Sequence, residues 1–164
     1  MTTNLLCLPD SYYKAPLVHG FSDDFNELVT GDRWTSIAAD TGASVAMTDA
    51  VGGRVALVTG ATDNNEAYIH TTSELFLPAA NKPILVRAQL QFAEANTDDA
   101  NVIFGLINAA AANDLQDNGA GPRASYDGAV FYKVDGGTRW QVESSNAGTQ
   151  VTTDTEYTAG GAGS

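Results

Sequence analysis

The chain has 164 residues, 43% of them hydrophobic, which suits one ordinary domain with one core. Twenty acidic residues against 8 Lys and Arg set a formal charge of −12. Such a field repels nucleic acid and anionic membrane surfaces, so partners are expected to be neutral, cationic or docked through apolar contacts. A single cysteine, Cys7, excludes an intramolecular disulfide and reads as a small buried hydrophobe.

Residues 1–19 contain the stretch NLLCLPDSYYKAPLV. It does not fit a secretory signal, because the first cation is Lys14 and the apolar run stops at Pro9. No run approaches the roughly 20 apolar residues of a membrane-spanning helix. Residues 1–19 are therefore read as an extended arm, 20–158 as the folded domain and 159–164 as a flexible glycine-rich tail.

From Ala43 onward the dominant period is two. Val45 and Met47 alternate with Ser44, Ala46 and Thr48, Gly52-Gly53 follows, and RVALVT resumes the alternation. This predicts a hairpin. EAYIHTT (66–72) predicts a short strand. PILVRAQLQFAE (83–94) is the clearest strand signal, with Ile84, Val86, Ala88, Leu90 and Phe92 on one side. VIFGLIN (102–108) is apolar on both sides and predicts a central, doubly covered strand. Ala109–Leu115 allows one or two helical turns capped by Asn108, before DNGAGP breaks them. YDGAVFYKV (126–134) and TRWQVES (138–144), joined by Asp135-Gly136-Gly137, form the strongest hairpin signal. A last short strand is expected through 149–153. Seven or eight strands with turns about every ten residues predict an all-β fold, a two-sheet antiparallel β-sandwich of jelly-roll type with the N-terminal arm attached; a barrel is the alternative.

Catalytic signatures were sought among these elements. His19 and His70 are the only histidines, and no His or Cys pattern of zinc-site spacing occurs. GASVA (42–46) lacks the second glycine of a nucleophile elbow, and GAGPRA (119–124) lacks the βαβ frame of a nucleotide site. Glycoside hydrolysis needs two suitably spaced carboxylates. Asp154 and Glu156 have strand spacing but no third acid, while Asp98 and Asp99 are adjacent and read as loop residues. Oxygen-rich loops at 62–66, 96–101 and 113–119 leave calcium open, but none has EF-hand spacing. The expectation is therefore no enzyme, no cofactor, no assigned metal ligand and no nucleic-acid or membrane partner. Exposed aromatic residues mark glycan sites in some β-sandwiches. Trp140 is read as core beside Val142, and Trp34 as either core or surface.

The segments GFSDDFNEL with Trp34, GGRVALVTG, LFLPAANKPILVRAQLQF and DGAVFYKVDGGTRWQVES follow one another along the chain. In that order the chain resembles the concanavalin A-like lectin/glucanase sandwich group, and more narrowly the small virion structural proteins of tailed bacteriophages. The likeness would span Gly20 to Thr153. It implies a non-enzymatic decoration or cement protein on the capsid, present in the virion and assembled in the host cytoplasm. It implies other virion subunits as partners, the major capsid protein among them, and a homo-oligomer or high-copy array. The glucanase branch is disfavoured, because the Glu-x-Asp-x-x-Glu strand motif is absent. A carbohydrate-binding, lectin-like module is the alternative. The arm residues Leu5, Leu6, Leu8, Tyr12, Tyr13, Leu17 and Val18 are of the kind enriched at interface centres, and Pro9 and Pro16 restrict the unbound arm. They are the candidate interface.

Overall fold

A computed structural model describes residues 20–160, apart from 39, 50, 51, 63, 95 and 97. Ten strands follow in chain order: β1 Trp34–Ile37, β2 Ser44–Thr48, β3 Arg54–Val58, β4 Tyr68–Thr71, β5 Val102–Ile107, β6 Leu115–Gln116, β7 Gly121–Pro122, β8 Gly128–Lys133, β9 Arg139–Asn146 and β10 Thr149–Thr158. All the pairings between these strands are antiparallel, and no α-helix occurs among the described residues. The all-β expectation holds. The strands fall into a four-stranded sheet in the order β10-β9-β8-β5 and three two-stranded pairs, β1-β4, β2-β3 and β6-β7.

The Gly-Gly and Asp-Gly signals each deliver the expected hairpin. β2 and β3 pair in register from Ser44 opposite Val58 to Thr48 opposite Arg54. β8 and β9 pair from Gly128 opposite Ser145 to Tyr132 opposite Gln141. β5 and β8 come close because Gly128 carries no side chain, since a Cβ there would run into the Leu106 carbonyl.

Four expectations change. Residues 83–94 form no strand, and Leu85 is 77% exposed. Val86 and Leu90 of the expected inward side are exposed as well, at 41% and 49%, because alternation supplies neither the partner backbone nor the layer that would cover it. β5 is an edge strand with half-buried residues, not a central one. The 109–115 stretch makes turns where helix was allowed, and the Asn108 amide oxygen accepts from the Asp127 N–H (3.1 Å) instead of capping a helix. The short final strand is β10, the longest of all at 10 residues. It is rich in threonine, which favours strands without marking a core face.

The core lies on one side of the large sheet. Leu115, Tyr126, Val130 and Tyr132 cluster there, with Ile103, Ile107 and Val134 packed against them. Leu115 also ties this core to the smaller pairs: its N–H donates to the Tyr68 hydroxyl of β4 (3.3 Å), and the Asn113 N–H donates to Glu66 (2.7 Å).

Candidate interaction surface

The two faces of the large sheet follow from its register. Ile103 lies opposite Tyr132, Val130 opposite Glu143 and Glu143 opposite Thr152, so these share a face. This closed face is covered by Leu115 and by Tyr126, which is fully buried. Its outer half is polar. The Glu143 carboxylate, on a residue only 4% exposed, accepts from the Tyr126 hydroxyl (3.1 Å), the Gln150 amide (2.7 Å) and the Thr152 hydroxyl (2.5 Å). Three donors replace the water that burial removes. Burial also pushes the Tyr126 phenol far above its ordinary value, helped by the bond to Glu143 and its charge. The Tyr132 phenol is raised mainly by burial, with the Thr152 contact opposing. Tyr126 is out of reach of a substrate, so this network is a structural device.

The other face carries the remaining residues of the same strands. Phe104 lies opposite Phe131, Phe131 opposite Val142, and Ser144 opposite Val151. The Phe104 and Phe131 rings stack at 6.3 Å. This centre is partly open to water: Phe131 is 46% exposed and Val151 60%, while Phe104 and Val142 are half-buried. The face holds no carboxylate in β5, β8 or the paired parts of β9 and β10, where Glu143 and Asp154 fall on the closed side. Its one cation, Lys133, is fully buried.

Lys133 closes one end of this open face. Its ammonium donates to the carbonyls of Asp98 (2.8 Å) and Ala100 (3.0 Å) and sits 3.4 Å from the Glu94 carboxylate. The Ala100 N–H donates to the same carboxylate (2.8 Å). Beside it the Trp140 ring meets Phe92 edge-on, 6.1 Å between centroids. Trp140 is thus half-buried on the open side, sharing the face of Val142 as expected but packed on Phe92 and not in the Tyr126 core. It forms an open groove of about 350 Å³ with Gln89, Leu90, Gln91, Phe92 and Gly160.

The GFSDDF stretch makes a clasp around Trp34. The Trp34 indole N–H donates to Asp23 (2.8 Å), which also accepts from the Phe25 N–H (2.8 Å) and pairs with Arg33 (3.4 Å). Phe21 and Phe25 flank the indole at 5.3 and 5.2 Å, and the Arg33 guanidinium lies over Phe21 at 4.8 Å. These bonds account for Asp23 and Arg33 as structural groups. The shallow acidic groove beside them, of about 280 Å³, runs along Asp24, Glu27 and Asp32.

The other singled-out residues are scattered. The His70 ring lies 3.0 Å from the Thr71 carbonyl in β4. Asp154 pairs with Arg139 (3.1 Å), and Asp99 accepts from Asn96 (2.5 Å). Among the described residues no three His, Cys, Asp or Glu side chains come together as a metal site. Cys7, His19 and the candidate interface residues Leu5, Leu6, Leu8, Tyr12, Tyr13, Leu17 and Val18 lie outside the described residues. The open sheet face went unnoticed in the sequence, although the position of Phe131 and Phe104, out of phase with Tyr132 and Ile103, was its signal. No protein-family model, curated protein or solved structure matches the chain.

Proposed function

We propose that this chain is a non-enzymatic structural protein that docks on other protein subunits, of the decoration or cement type found on tailed-bacteriophage capsids. The single observation behind this reading is the uncharged, apolar open face on a molecule of charge −12. Exposed apolar area of this kind marks macromolecular contacts. Covering one large side chain such as Phe131 contributes about 1.5–3 kcal/mol. The finer architecture proposed is a concanavalin A-like jelly roll, in which the large sheet is one layer and its closed face turns toward the second. The resemblance of the ordered segments supports the capsid setting. The test is quantitative mass spectrometry of purified particles from a host that carries this gene. The expected result is the chain in fixed stoichiometry with the shell subunit. Particles free of the chain would contradict the proposal.

A second reading draws on the Trp140–Phe92 groove. An aromatic platform flanked by Gln89 and Gln91 offers stacking and amide hydrogen bonds, the two contacts a sugar ring uses. A glycan array checks it: saturable binding lost in Trp140→Ala supports a lectin-like module, and an empty array removes it.

A further inference from the structure

We propose that the open face of the large sheet is the seat of the N-terminal arm of a second copy of this chain. The inference rests on the subunit-docking reading above and names the partner.

Size comes first. β5 and β8 are six residues each, so the face is roughly 20 Å long at about 3.3 Å per residue. Four strands about 4.8 Å apart make it roughly 15–20 Å wide. That is a footprint of roughly 300–400 Å², and the Lys133 end is already covered. A stable interface between two bodies needs about 800 Å² a side. The face is too small for that and the right size for a short apolar segment, of which about six extended residues span its length.

Charge selects which segment. The arm, residues 1–19, has one acid, Asp10, and one lysine, Lys14, so the formal −12 sits entirely on the rest of the chain. A second body approaching whole is repelled. The arm is not, and either of its apolar clusters, Leu5-Leu6-Leu8 or Leu17-Val18, matches a face of Phe104, Phe131, Val142 and Val151.

Attachment selects whose arm. Phe21 packs on Trp34, β1 pairs with β4, and Tyr68 of β4 bonds Leu115 on the closed face. The described residues next to the arm, Gly20 and Phe21, therefore sit with the β1-β4 pair, which bonds the closed-face core through Tyr68. A copy stacked on that side turns its open face to the arm. The contact is head-to-tail, a geometry that builds rings or filaments.

The test uses two full-length variants. Leu6→Asp/Leu17→Asp spoils the arm and keeps the face; Phe131→Asp spoils the face and keeps the arm. Val151→Asp replaces the latter if circular dichroism shows it unfolded. By sedimentation velocity the unaltered chain should at least double its mass as concentration rises, each variant should stay monomeric, and their equimolar mixture should form a 1:1 heterodimer. A chain monomeric at every concentration, a mixture that stays monomeric, or a face variant that associates like the unaltered chain overturns the inference. A monomeric chain still recovered in particles would leave the docking reading standing and remove only this partner.

Discussion

The two faces of one sheet obey opposite rules. The closed face buries Glu143, Ser145 and Tyr126, polar groups each given a partner, while the open face shows water Phe131 and Val151. An ordinary amphipathic sheet buries an apolar face, as Val130 and Tyr132 do here, but turns polar side chains to water on the other. The difference teaches that the closed face is where the fold satisfies its own demands, with little left to bind anything. The open face presents uncharged side chains to water, and it is the surface on which the proposed docking rests. Lys133 is the boundary between them: it lies on the open side but is sealed by the 94–100 stretch.

The sharpest break of this comparison is at that boundary. Lys133→Ala leaves Glu94 buried without its cation and is expected to cost about 3–5 kcal/mol in urea unfolding. The pair-replacing Lys133→Met/Glu94→Leu variant should recover much of it. A loss below about 1 kcal/mol would mean that the 94–100 stretch does not seal the sheet. Next comes the closed face. Tyr126→Phe removes one of three donors to Glu143 and should cost about 1–3 kcal/mol, with no effect on association.

The pH dependence sharpens the same point. Burial raises the phenols of Tyr68, Tyr126 and Tyr132 above their ordinary 10.0. A raised folded value means the unfolded chain ionises first. The stabilisation is complete below the unfolded value and is lost as pH climbs past it toward the folded values. Thermal unfolding should therefore fall from about pH 10 upward, and tyrosinate absorbance should appear together with unfolding. Three tyrosines titrating at their ordinary value in a folded protein would refute the closed core. The smallest stability effect belongs to the open face. Val151→Asp, at the more exposed site, should change unfolding by no more than about 0.5–1 kcal/mol while abolishing association.

How far the sequence carried depends on the kind of signal. β2-β3 and β8-β9 were legible because Gly52-Gly53 and Asp135-Gly136 fix a turn locally, and the register follows from the turn. Residues 83–94 mislead because alternation alone brings no neighbouring backbone, and without one even Val86 and Leu90 of the expected inward side stay exposed. The length of β10 is hidden in the sequence because Thr152, Thr153 and Thr155 show no apolar period; Gln150 and Thr152 are held there by Glu143. The clasp was half visible: DDF was noted as a motif, but the Asp23–Trp34 bond joins residues whose link only the fold reveals. The open face was hidden for a similar reason. VIFGLI and GAVFYK are apolar throughout, and only strand order decides which half is covered.

The most direct measurement is carbene footprinting of Phe104, Phe131 and Val142 in the dilute chain and in purified particles. The account predicts heavy labelling of these side chains in the dilute chain and strong protection in particles, with Tyr126 unlabelled in both. Equal labelling of the open face in the two samples would contradict it.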